Sequence, residues 1–193
     1  MKKLTFINVC IREGESRTLR LASPIIEELS KRYEITEIKL SRSALAPITF
    51  QQYHERGTNG PSDEDLKNGR LVAEADRIVI ASPFWDMGIP SILKTFIEHI
   101  SAPDLTFCNN PDGSTRGNCR AEKLLYITTR GMEIETLSPL DQGTPYLKAI
   151  SWLWGMGEVY TVAVKGTDVN DESTVNKRIS EAVKYGIDIC KEF

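Results

Sequence analysis

Five short stretches rich in Ile, Val, Leu and Thr punctuate the chain: Leu4–Val9, Glu34–Leu40, the run from Arg77, Lys123–Thr129 and Glu158–Val164. Runs of this length and composition predict strands, and the nearly unbroken run after Arg77 predicts one buried on both faces. Between them, apolar residues return at helical spacing. Leu19, Ala22, Ile25, Ile26 and Leu29 predict a first helix, with a kink or a later start at Pro24. Ser62 followed by Asp65 reads as the cap of a second helix, running to about Ala75. Pro90 suits a first helical position ahead of the stripe Ile92, Leu93, Phe96, Ile97 and Ile100. Thr144–Trp154 and Glu172–Phe193 complete the helices, and Ser41–Pro61, without periodicity, reads as a long irregular connection. Asn109-Asn-Pro-Asp-Gly113 predicts a turn between two short extended pieces within Leu105–Gly117. Strands alternating with helices imply an α/β fold, a doubly wound five-stranded parallel sheet with helices on both faces, in one domain spanning 1–193.

Composition narrows the function without naming it. At 193 residues with a formal charge of −3 and no block of Lys or Arg, the chain has no electrostatic footprint for nucleic acid or anionic membrane. No apolar run approaches the roughly 20 residues needed to span a bilayer. Met1-Lys-Lys-Leu reads as the approach to a first strand and not as a leader, so a cytoplasmic protein is expected. The 4 cysteines form no CxxC and the 2 histidines stand in no metal-ligand spacing. Cys10, Cys108, Cys119 and Cys190 are therefore expected as free thiols, with no metal site.

In an open parallel sheet, ligands bind beyond the carboxyl ends of the strands. The loop after the first strand carries Arg12, Ser16, Arg17 and Thr18 ahead of a helix, a place where unpaired amides and the positive helix end attract an anion. Ser16 could equally be only a helix cap. Gly14 is the only glycine there, which excludes both GxxxxGK[ST] and GxGxxG. The loop after the third strand, Pro83-Phe-Trp-Asp-Met87, offers flat, polarizable side chains to an aromatic ligand, or merely closes the core. The loop after the fourth, Thr128-Thr-Arg-Gly131, adds hydroxyls, backbone amides and a cation. A phosphate at the first loop and an aromatic ring between the others describe flavin mononucleotide (FMN). With no triad, carboxylate pair or metal motif in sight, the chemistry would belong to the cofactor.

These residues resemble the flavodoxin-fold NAD(P)H-dependent oxidoreductases, in the branch of FMN-dependent NADH-azoreductases and NAD(P)H quinone reductases. The family pattern Pro-Met-Tyr-Asn-Phe, followed by Ile-Pro-x-x-Leu-Lys, is met here by Pro83-Phe-Trp-Asp-Met87 and Ile89-Pro-Ser-Ile-Leu-Lys94. Thr106-Phe107, Ile127-Thr-Thr-Arg-Gly131, Thr144-Pro-Tyr-Leu147 and Val164-Lys-Gly166 follow in the same order. The resemblance implies a flavodoxin-like sheet. It implies bound FMN held by Ser16, Arg17 and Thr18 at the phosphate, by Phe84, Trp85, Asp86 and Met87 at the ring and ribityl chain, and by Thr128, Thr129, Arg130 and Gly131 at the ring's other edge. Arg130 would favour the reduced flavin there, or else make a surface or dimer salt bridge. Also implied are NADH or NADPH as donor, a small quinone, azo or nitroaromatic acceptor, and a homodimer. Trp152 and Trp154 would face that interface, or one of them the core. Tyr53 and Tyr146 are candidate proton donors, and the 41–61 and 133–143 loops would shape the acceptor pocket. The chain departs from the pattern at Asp86, where azoreductases have Asn, at Met132, where a second Gly stands, and at Val9 and Cys10, where small hydroxyl residues stand. A different class, an electron carrier serving protein partners, shares the fold.

Overall fold

The structure is a computed structural model describing residues 1–193. Its central sheet contains β1 (Lys2–Asn8), β2 (Tyr33–Lys39), β3 (Arg77–Ala81), β6 (Lys123–Thr129) and β7 (Glu158–Val164). The strands are all parallel and lie in the order β2-β1-β3-β6-β7. Every residue of β3, at the centre, is buried. Alternation along the strands divides the core in two. Phe6, Val79, Leu125 and Val162 pack on one face beneath α1 (Arg17–Ser30) and α6 (Glu172–Glu192). Ile7, Ile78, Ile80, Leu124 and Tyr126 pack on the other, against α3 (Asp63–Ala73), α4 (Ser91–Ile100) and α5 (Gly143–Trp154). No helix is long and apolar enough to cross a membrane.

The hairpin between α4 and β6 is present, with β4 (Phe107–Asn109) antiparallel to β5 (Thr115–Gly117). Gly117 docks it: a Cβ there would lie 1.9 Å from the Gly155 nitrogen, so only glycine lets the hairpin meet the end of α5.

Three expectations need correction. The Ser41–Pro61 segment is not irregular throughout, because it contains α2 (Phe50–Asn59). This helix has no buried residue, hence no apolar stripe, and is started by a capping box between Thr49 and Gln52. Pro24 neither delays nor ends α1, since the Ser16 cap fixes its start upstream. Pro90 is the cap of α4 and not its first residue, with ψ at 148°. Of the two tryptophans, Trp154 is core and its indole N–H donates to Ser101 Oγ at 3.1 Å, while Trp152 is 76% exposed.

Candidate functional site

From β1 the chain crosses to β2 on one side of the pair, and from β3 to β6 on the other, so a crevice opens between the carboxyl ends of these adjacent strands. The Val9 N–H donates to Ala81 O at 2.9 Å as the last rung between them. The loop that follows β1 turns through one 3-10 turn, Glu13–Glu15, and ends on Ser16, whose Oγ accepts the Leu19 N–H at 3.2 Å. The N–H groups of Arg17 and Thr18 have no acceptor in the chain and point from the helix end, as first-turn amides must. Ser16 therefore caps α1 and borders the open amides.

The other two loops are tied to this one. Thr18 Oγ1 and Thr129 Oγ1 share a hydrogen bond of 2.6 Å, buried from solvent. Thr129 O accepts the Phe84 N–H at 3.1 Å. Beyond Phe84 the chain makes a tight turn in which Trp85 and Gly88 exchange both backbone hydrogen bonds, at 3.1 and 2.8 Å. Asp86 and Met87 at its corner have φ of 47° and 67°. A turn left-handed at both corners favours Asn-Gly; Asp tolerates this region, whereas Met is strained by about 1 kcal/mol. Met87→Gly is thus expected to stabilise the protein by roughly 1 kcal/mol in urea denaturation. A loss of stability would show instead that the thioether packs usefully.

A cavity of about 120 Å³ lies where the loops meet. Of the residues anticipated from sequence, Arg12, Ser16, Arg17, Thr18, Pro83, Phe84, Trp85, Thr129 and Gly131 line it. Asp86 and Met87 do not, sitting at the exposed tip of the turn. Thr128 and Arg130 do not either. Thr128 is buried behind the site, its Oγ1 accepting from the Tyr126 hydroxyl at 3.2 Å. Arg130 is fully buried: Nη2 donates to Asp141 Oδ2 and Nη1 to Ile134 O, each at 2.9 Å, with the guanidinium carbon 5.0 Å from the centre of the Phe84 ring. Arg130 therefore makes an internal ion pair, neither at the rim nor on the surface. Tyr53 and Tyr146 lie outside the cavity as well.

Three lining residues escaped the sequence reading: Ile11, Thr167 and Asp168. The last two follow β7, whose apolar-to-Gly ending marks another loop on the same rim. Asp168 accepts from Arg17 Nη1 at 2.8 Å, and Glu172 accepts from Arg17 Nη2 at 3.3 Å. Cys10, beneath the first loop, is no nucleophile: burial pushes its thiol up to about 11.

Residues 2–185 match the sequence pattern of a family described as flavodoxin-like fold. The chain belongs to that family. Within the flavodoxin-like fold family it is 30% identical, over 201 residues and 100% of both chains, to an FMN-dependent NADH:quinone oxidoreductase of Clostridium perfringens. Its fold is shared with an azoreductase from Bacillus anthracis (TM-score 0.83, 18% identity, 100% of both chains). It is shared also with an FMN-dependent NADH-azoreductase of the same organism in complex with FMN (TM-score 0.80, 20% identity, 100% and 99% of the two chains). The crevice of this flavodoxin-like fold lies at its topological switch point, where the general rule for such sheets puts the ligand.

Proposed function

We propose that this protein binds FMN and uses it to carry electrons from NADH or NADPH to a small organic acceptor such as a quinone, azo compound or nitroaromatic. The observation that carries this reading is the cavity itself, with an anion cradle at one end and an aromatic wall at the other. The open amides of Arg17 and Thr18, the hydroxyls of Ser16 and Thr18, and the Arg17 guanidinium fit a phosphate. A cavity of about 120 Å³ suits the phosphate end, with Trp85 (44% exposed) and Met87 (37% exposed) leaving an apolar rim for a flat ring. The N–H groups of Asp86, Met87 and Gly131 also lack acceptors in the chain and could donate to a polar ring edge.

When bound, FMN supplies the hydride chemistry. The chain's part is to hold and orient. Pro83, Phe84 and Trp85 exclude water from one wall, and the Thr18–Thr129 hydrogen bond fixes the distance between the anion cradle and the Thr129–Gly131 segment. Asp168 is the only carboxylate in the lining, and its partner is Arg17, so the cavity holds no carboxylate pair for acid–base work. A homodimer fits the exposed Phe50, Tyr53 and Trp152 side chains. The test is spectroscopic. Purified protein given FMN should show flavin bands that bleach when NADH or NADPH is added without oxygen, and recover with quinone. Bands that persist with both nucleotides would favour the electron-carrier function, and failure to bind FMN would remove the flavin altogether.

A further inference from the structure

We propose that Asp168 sets how tightly the phosphate end of the site binds: its carboxylate competes with the incoming phosphate for Arg17, so filling the cradle exchanges one ion pair for another. This rests on the FMN reading above and assigns a role to a residue which that reading leaves idle.

The Arg17 guanidinium lines the cavity with the open amides, and both its terminal nitrogens are already engaged, with Asp168 at 2.8 Å and Glu172 at 3.3 Å. The two carboxylates differ. Glu172 also pairs with Arg20 at 3.2 Å and lies outside the cavity lining. Asp168 lines the cavity, and its side chain has no partner but Arg17.

The backbone is built to bring Asp168 in. Its N–H donates to Gly131 O at 3.0 Å, and a Cβ on Gly131 would fall 2.2 Å from Asp168 Oδ2. Any larger residue at 131 would push the carboxylate out of the place from which it reaches Arg17. Part of the reason for glycine at this position is therefore room for Asp168, beside any contact that its own amide makes.

A phosphate arriving at the amides of Arg17 and Thr18 meets this carboxylate at short range. It must take the guanidinium from Asp168 and then tolerate a like charge, so affinity for the phosphorylated flavin is held down. Riboflavin, which lacks the phosphate, does not enter that contest. Salt separates charge from shape: in the wild type it weakens the internal pair and the new pair together, so affinity should hardly depend on ionic strength. With Asp168 neutralised, only the new pair remains to be screened.

The experiment titrates FMN and riboflavin, by quenching of flavin fluorescence, into the full-length wild type and the near-isosteric Asp168→Asn variant, with circular dichroism to establish that both are folded. Asp168→Asn is expected to bind FMN about two- to fivefold more tightly, with riboflavin unchanged. Its FMN affinity should fall between about 0.05 M and 0.5 M NaCl more steeply than that of the wild type. Equal FMN affinity in the two proteins, or equal gains for FMN and riboflavin, would overturn the competition while leaving the flavin site standing. A folded wild type and variant that both fail to bind FMN would overturn the flavin reading and the competition together.

Discussion

Replacing Asp141 with alanine is expected to cost about 3–5 kcal/mol of folding stability, the usual result of leaving a buried charge without its partner. Arg130 and Asp141 are both fully buried and meet at 2.9 Å. Asp141 does more than pair. Its Oδ2 also accepts the Leu137 N–H at 2.9 Å, and its Oδ1 accepts the N–H groups of Gly143 and Thr144 at the start of α5, each at 3.1 Å. One carboxylate therefore closes the loop after β6, caps a helix and neutralises the guanidinium that lies over Phe84. Urea denaturation should show the midpoint fall with little change in slope, and a loss below about 1 kcal/mol would mean that the pocket relaxes to admit water. The Arg130→Met/Asp141→Leu double variant should recover only the part due to the unpaired charge, because the amides of Leu137, Gly143 and Thr144 still lack their acceptor. The pH dependence has a fixed sign. Burial pushes the Asp141 carboxyl up, but the amides of Leu137 and Thr144 and the Arg130 guanidinium outweigh it and hold it below the usual range. Its stabilisation is thus present above the unfolded value of about 3.9 and is lost as pH falls through the lower folded value. The gap between wild type and Asp141→Ala should accordingly narrow in acid.

How legible the molecule is in its sequence depends on how local each signal is. Strands β6 and β7 run over Lys123–Thr129 and Glu158–Val164, the limits that their β-forming runs predict; β6 is buried along nearly its whole length, whereas β7, at the sheet edge, buries only Val162 and Val164. Helix α2 escapes because it buries nothing; its readable trace was the Thr49–Gln52 capping box, two polar residues three apart. Within the site, strand alternation separates what a contiguous motif lumps together. Thr129 shares the face of Ile127 and reaches Thr18, while Thr128 shares the face of Tyr126 and turns away. Arg130, on the same parity as Thr128, follows it inward to a partner eleven positions later. Only the fold could reveal that partner, and the same is true of Asp168, which lies 151 positions from Arg17.

Arg17→Ala is expected to weaken FMN binding about tenfold in the wild type and about fiftyfold in the Asp168→Asn background, with riboflavin unaffected in both. A charge-assisted contact from a guanidinium to a phosphate is worth about 1.5–3 kcal/mol. In the wild type that gain is partly cancelled, because Arg17 gives up the Asp168 contact of 2.8 Å to make it. In the Asp168→Asn background nothing comparable is given up, so the whole contact is lost with the side chain. Stability should hardly change, since Arg17 is partly exposed and both its carboxylate partners are mostly so, and such pairs contribute about 0–1 kcal/mol. Fluorescence titration of the four proteins gives a double-mutant cycle. Equal losses in the two backgrounds would show that Arg17 keeps Asp168 when phosphate binds. Parallel losses for riboflavin would show that Arg17 acts through the shape of the first loop and not through its charge. The predicted inequality has a single physical origin: one guanidinium cannot serve a carboxylate and a phosphate at full strength together.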